Sequence, residues 1–337
     1  MSTRRIILKD IEITDLPSAN AGLCFDKYIV AQDRDTPTNR SNLIRDVARL
    51  ANTDTYSAFY THWQKSLAEI GAQTRTATVK GRMIVGLGNE SVLETSVTLH
   101  RTYGVPYITG SALKGLAASY ARQRLKDWHT NGDAYKVVFG DTDDAGYITF
   151  FDALYVPETG HTKRPLYPDV ITVHHQKYYQ DAGKPPADWD DPNPVPFLSA
   201  TGSYLIALAA PELKDPEPWL NTVFDILKHA LIEMGIGAKT SSGYGRMKLE
   251  APPPPPVDPD IQKAESYKKE VERIPPKDVA SQINGYYQKW QQISSENGKK
   301  ILAIAIIDKI RQAGREKASA DKRWYQELVA FLEKAGQ

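Results

Sequence analysis

Cysteine is almost missing from this 337-residue chain: Cys24 stands alone. That excludes a disulfide framework and a cysteine-rich zinc module. No apolar run approaches the ~18 residues of a membrane-spanning helix, and the N-terminus lacks the short apolar core of a signal peptide. The expectation is a soluble, cytoplasmic, globular protein with no membrane contact. Surplus charge is missing too. With 42 Lys and Arg against 41 Asp and Glu, the formal net charge is +1, so any anion site must be a local patch and not a polybasic tail.

Patterns that carry catalysis are equally scarce. The seven histidines show no His-x-x-x-His spacing for zinc. His174 and His175 are adjacent, and on a strand they would point to opposite faces. Asp26, Asp33 and Asp35 form a small acidic loop cluster that reads as solvent-facing surface more readily than as a metal site. Asp143 and Asp144 need only turn chemistry. Nothing supplies a nucleophile with an evident base. The reading is a protein that is not an enzyme, with no cofactor and no metal.

What the chain does have is Gly235-Ile-Gly-Ala-Lys-Thr-Ser-Ser-Gly-Tyr-Gly-Arg246: four glycines, one lysine, one arginine, three aliphatic hydroxyls and no acid. Glycine allows left-handed backbone and close approach to a ligand, and successive exposed N–H groups form an anion-binding concavity. Lys239 and Arg246 add charge, and Thr240, Ser241 and Ser242 add donors. The chemistry indicated is phosphate binding; a ligand-free helix-to-strand connection fits the loop equally well. A Walker A loop is excluded because Ala238 precedes Lys239 and a helix, not a strand, comes before. A dinucleotide loop is excluded because Thr240 stands where a third glycine is required.

Along the chain, residues 1–40 read as irregular and 41–70 as helical, with a break near Asn52–Thr55. Strand-like stretches follow at Ala77–Leu87 and Ser91–His100. Next comes Gly104-Val-Pro-Tyr-Ile-Thr-Gly-Ser-Ala-Leu-Lys-Gly115. Thr109 or Ser111 can cap a helix that runs to about Trp128, placing Lys114 in its first turn, where the dipole disfavours a cation unless an anion is bound. Arg122, Arg124 and Lys126 follow, a run that a solvated helix face explains as well. Strands are expected at Tyr147–Val156, Asp169–Val173, Ser203–Ala209 and Tyr244–Leu249, with a helix at 217–234 and an aromatic-rich insertion at 174–198. The order is that of a split βαβ, ferredoxin-like α+β core with insertions. Pro252–Pro256 should form a stiff spacer. Residues 258–337 read as an all-helical domain with 15 basic against 12 acidic residues, a net +3, suited to protein docking through Trp290, Trp324 and Tyr325. The organisation expected is an N-terminal helical or irregular extension (1–76), a core (77–250), a proline linker (251–257) and a helical tail (258–337).

Gly86-Leu-Gly88, Gly104–Gly115, Val138-Phe-Gly140, Phe151-Asp-Ala153 and Gly235–Arg246, in this order, resemble the RAMP superfamily of CRISPR proteins. More narrowly they resemble the sixth-subunit family of type III-B (Cmr) RNA-guided effector complexes, to which Val173–Tyr179 and Pro194–Leu198 are also similar. The resemblance covers about residues 77–250. It implies an RRM-like fold and a non-catalytic, RNA-binding structural subunit near the 3′ part of the guide RNA, acting in antiviral defence. Its implied partners are guide RNA, target RNA and the other backbone and small subunits. Carried over to matching positions, it implies that Gly110, Ser111, Lys114, Arg122, Gly237, Lys239, Thr240, Ser241, Ser242, Gly243, Tyr244 and Arg246 line the RNA path. Two features depart from the family pattern: Thr109 stands where proline is usual, and the proline run and helical tail lie outside the family core. The alternative is a metal-independent endoribonuclease of the same superfamily, using a histidine as general acid or base.

Overall fold

Alternation along Arg75, Ala77 and Val79 buries one face of a strand, β1 (Gln73–Val79), and this strand is the centre of the fold. The computed structural model describes residues 8, 11–13, 16, 19–30, 37–180, 185–251 and 259–334. Among the described residues three α-helices precede β1: α1 (Ala21–Lys27), α2 (Pro37–Ala48) and α3 (Asp54–Glu69). After it come β2 (Tyr107–Ile108), α4 (Gly110–Arg124), α5 (Asp133–Phe139), β3 (Thr149–Phe150) and β4 (Ala153–Tyr155). A hairpin of β5 (Leu166–Val173) and β6 (Asn193–Ala200), joined through α6 (Gln176–Gln180), leads to β7 (Ser203–Ala209), α7 (Glu217–Glu233) and β8 (Met247–Leu249).

The main sheet has the order β2-β4-β7-β1-β8, with β3 beside β7 and every pairing antiparallel. Without β2, that is the strand order of a split βαβ, with β1, β3/β4, β7 and β8 as its four strands and α4 and α7 as its two helices. The ferredoxin-like expectation holds. Leu113, Ala117 and Ala121 of α4 and Val223, Phe224, Leu227, Ala230 and Leu231 of α7 are buried in one hydrophobic cluster with the sheet. Cys24, Ile44, Val47, Tyr56 and Leu67 from the first three helices belong to that same cluster, and the Tyr56 hydroxyl donates to the carbonyl of Tyr155 in β4. Burial raises the Cys24 thiol to about 11, which keeps it protonated and inert.

Several local expectations are corrected. β1 starts at Gln73 and ends at Val79, because Gly81 takes a left-handed φ of 88° and turns the chain away. Residues 91–100 form no strand: Leu93 and Val97 are buried, but the backbone reaches residues 85–87 through only two hydrogen bonds, Ser96 to Leu87 and Thr98 to Val85. Residues 147–156 form two short strands, because one extra residue is accommodated between Phe150↔Leu208 and Leu154↔Leu205, a bulge at Phe151–Asp152. The helix after Thr109 ends at Arg124, not Trp128, and the last strand begins at Met247, not Tyr244. Residues 21–27, expected as irregular, are helical because Asn20 caps them by accepting from the Leu23 amide. The end of the 174–198 insertion, from Asn193, is β6, and its exposed Tyr179 and Trp189 lie at the far end of the β5–β6 hairpin.

The chain divides into two compact units, residues 1–252 and 253–337. The proline run expected as a linker falls outside the described residues. The second unit is helical: α8 (Pro259–Arg273), α9 (Val279–Gln291), α10 (Glu296–Gln312), α11 (Glu316–Ser319) and α12 (Arg323–Lys334). It has its own hydrophobic core, built on Val271, Ile283, Leu302, Ile306, Ile307, Ile310 and Leu328. Trp290 and Tyr325, expected as exposed docking rings, are buried there and Trp324 packs against that core. The Trp290 indole donates to the Lys299 carbonyl at 2.9 Å, which is how an amphipathic ring is satisfied inside a small helical core. Among the described residues, no helix is long and apolar enough to cross a membrane.

Candidate nucleic-acid interface

A helix C-terminus leaves unpaired carbonyls, and a glycine past its end usually closes it. Gly235, at φ 74°, does this for α7, its N–H donating to Ala230. The chain then doubles back: the Ile236 amide donates to Gly245 and the Ala238 amide to Ile84. Gly245, at φ 71°, lies so close that a β-carbon there would collide with the Ile236 carbonyl oxygen. Only glycine fits that crossing.

The outer part of the loop carries Lys239 and the hydroxyl residues. Lys239 is exposed and left-handed, at φ 55° and ψ 37°. A 3₁₀ turn over Thr240–Ser242 follows, closed by the Ser242 and Gly243 amides on the Lys239 and Thr240 carbonyls. The preceding amides of Lys239, Thr240 and Ser241 have no acceptor among the described residues. Left-handed then helical backbone with successive unpaired N–H groups is the arrangement of an anion-binding nest. Ser241, Ser242 and Gly243 are exposed, as is Gly237 on the other side of Lys239 in the chain. Lysine in this conformation is strained by about 1 kcal/mol. Lys239→Gly should therefore raise the stability of the first unit by up to about 1 kcal/mol in urea unfolding while removing the charge; a loss of stability would show that the lysine is held for packing.

Two of the expected residues have structural work as well. The Arg246 guanidinium donates to the Thr240 carbonyl at 3.3 Å and the Ile232 carbonyl at 3.4 Å, bracing the loop from behind. Tyr244 turns inward, and its hydroxyl donates to Asp169 at 3.0 Å. Asp169 also pairs with Arg82 at 3.0 Å, so the loop is tied to the β5–β6 hairpin. Burial and the Asp169 carboxylate raise the Tyr244 phenol above its usual range, which keeps it a donor. Sequence reasoning missed Arg82 and Asp169, since neither belongs to a glycine-rich motif.

The α4 start is built separately. Thr109 caps it, its hydroxyl accepting from the Ala112 amide, so Thr109 is the cap and Ser111 is not. The Gly110 amide donates to Asp152 at 2.7 Å, and Gly110 presses so closely on the Phe150 carbonyl that a side chain would not fit. Lys114 is the fifth helical residue, half-buried in the second turn, not in the first turn as expected. Arg122 is exposed about 18 Å further along α4 than Gly110, at 1.5 Å per residue.

The two stretches do not form one cradle. Phe150 pairs with Leu208, which pairs with Gln73 at the start of β1. The glycine loop meets the chain beyond the end of β1: the Lys80 amide donates to Arg246 and the Gly245 amide to Arg82. Along the strand the separation is ~20 Å at about 3.3 Å per residue. They are two stations, not a single groove.

The catalytic candidates remain dispersed. His175 is paired with Asp190 at 3.1 Å in the β5–β6 insertion. His100 is enclosed by Phe59, Tyr103 and Tyr107, and burial lowers its pKa. Among the described residues no three His, Cys, Asp or Glu side chains converge as a metal site; Asp33 and Asp35 lie outside those residues.

Residues 76–248 match the model of the RAMP superfamily. Over 249 residues the chain is 30% identical to the protein named CRISPR system Cmr subunit Cmr6 of Pyrococcus furiosus, covering 57% of this chain and 72% of that relative. Over 179 residues it is 25% identical to CRISPR system CMR subunit Cmr6 of Saccharolobus solfataricus, covering 51% and 56%. Among solved structures, one chain of a cryo-EM structure of the type III-B Cmr-beta bound to cognate target RNA matches with a TM-score of 0.51 at 18% identity, covering 72% of this chain and 92% of that one. At that identity the likeness concerns the fold alone.

Proposed function

The chain belongs to the RAMP superfamily, and from that premise we propose that it is a guide-RNA-binding, non-catalytic structural subunit of a type III-B CRISPR effector complex. Its place is toward the 3′ part of the guide, beside the other Cmr-type subunits and near the target RNA. The observation that carries this reading is the nest at Lys239–Ser241, an acid-free loop whose strained lysine and unpaired amides suit a phosphate and have no evident structural task. Lys114 and the α4 start supply a second contact. Backbone contacts of this kind position a strand without reading its sequence, and selection is left to pairing between guide and target.

The test is RNA recovery and integrity. The purified full chain, incubated with single-stranded CRISPR-repeat RNA in EDTA, should retain the RNA uncut. Cleavage that His175→Ala abolishes would replace this reading with the metal-independent endoribonuclease. Failure to retain RNA in low salt would remove it altogether.

A further inference from the structure

Glu158, Thr162 and Lys163 are non-glycine residues with left-handed φ of 60°, 52° and 62°, three within six positions. A β-branched threonine there is a genuine outlier, and such strain gathers at binding sites when the surroundings over-determine it. The surroundings do so here. The Gly160 amide donates to the Tyr155 hydroxyl at 2.8 Å, the His161 amide to the Thr201 hydroxyl at 3.0 Å, and the Thr201 hydroxyl to the Arg164 carbonyl at 3.1 Å. The result holds the exposed His161 ring edge-on to Tyr167, centroids 5.3 Å apart.

A cavity opens on each side of this ring pair. The larger, about 430 Å³, is lined by Arg82, His161, Tyr167 and the threonines 78, 159 and 201. The smaller, about 250 Å³, is lined by Arg45, Arg49, His161, Arg164 and Tyr167. Neither lining contains an acid. Nearby carboxylates neutralise part of the charge: Asp169 pairs with Arg82 at 3.0 Å, Asp46 with Arg49 at 3.5 Å and Glu158 with Lys163 at 3.5 Å. Arg45 donates to Asn42 and to the Ser41 carbonyl, and neither it nor Arg164 has an acidic partner among the described residues. The cleft continues from the glycine loop, because Arg82 accepts the Gly245 amide and lies 5.9 Å from the Tyr244 ring.

We propose that this cleft binds an unpaired RNA nucleotide, with the base in the larger cavity beside His161 and Tyr167 and the adjoining phosphates on Arg164 and Arg45. Cationic grooves interleaved with aromatic rings are how single strands are held without sequence preference. The larger cavity is of the size that takes a small ligand. The proposal rests on the RNA-binding reading and extends the strand's path from the glycine loop across the β5–β6 hairpin to α2. The chemistry fits either the guide or the target strand.

The experiment uses the full chain and a single-stranded RNA carrying 4-thiouridine. Arg45→Glu with Arg164→Glu changes two exposed side chains and should leave the circular dichroism spectrum intact. It should lower the salt slope of binding by about 1.4, at about 0.7 per phosphate contact on a single strand. The matching double Arg→Lys variant should keep the slope. Photocrosslinks should fall on His161 or Tyr167 in the wild type, and in the assembled complex the labelled strand that crosslinks identifies the source. An unchanged slope in the double Glu variant, with Lys239→Gly still lowering it, overturns the cleft and leaves the proposed function standing. No RNA retained by the wild type overturns both. If the double Glu variant loses a protein subunit from the complex while keeping the slope, the cleft is a protein contact and the proposal is wrong.

Discussion

Gly245→Ala is expected to destabilise the first unit by about 3 kcal/mol and to abolish RNA binding through the loop. Left-handed backbone costs an alanine about 1 kcal/mol or more. The added β-carbon would also meet the Ile236 carbonyl oxygen and carbon, both backbone atoms that the Ile236 to Gly245 hydrogen bond holds in place. Relief requires that the two sides of the loop separate, which loses that bond and the Gly245 to Arg82 bond together. Gly243→Ala is the matched control. Its φ is 89° but a β-carbon there has open space, so only the conformational cost of about 1 kcal/mol applies. Urea unfolding of both variants checks the contrast, and equal losses would mean that the close crossing contributes nothing.

The second large effect concerns the division of the chain. Residues 253–337 expressed alone should be helical and melt cooperatively, because their core of isoleucines, leucines and Trp290 is complete within the unit. Residues 1–252 should bind RNA with the salt slope of the full chain, since every loop and helix contact described above lies within them. The separated core should lose at least one co-purifying protein partner, which is the tail's proposed role. A fragment that melts without cooperativity, or a core that precipitates, would show that the two units depend on one another. The docking surface is not the one that Trp290 and Tyr325 suggested. Aromatic content marked the tail in the sequence, but in a unit of this size large rings are needed inside.

The split βαβ order was legible because the helices have 3.6-residue apolar periods and β7 is a continuous apolar run. The glycine loop was legible as a helix-to-strand crossing, because its glycines are what left-handed turns and close backbone approach require. What could not be read is which groups satisfy one another across long stretches of chain. Arg246 looked free for a phosphate, yet its donors go to the Thr240 carbonyl of its own loop and the Ile232 carbonyl of α7. Tyr244 sits in the loop motif and points to Asp169, 75 residues away. The 91–100 stretch alternates like a strand, but its partner is a loop with no regular edge. The cleft beside His161 draws on α2, residue 82 and the 158–167 turn, and its left-handed positions carry Glu, Thr and Lys, residues that give no turn signal.

Whether the glycine loop holds an RNA phosphate through Lys239 is read from the salt dependence of binding. The full chain and its Lys239→Gly variant are titrated with the same single-stranded RNA over a range of salt. The variant, as stable as the wild type or more so, should lose about 0.7 from the slope of log K against log salt. Identical slopes in the two proteins would contradict it.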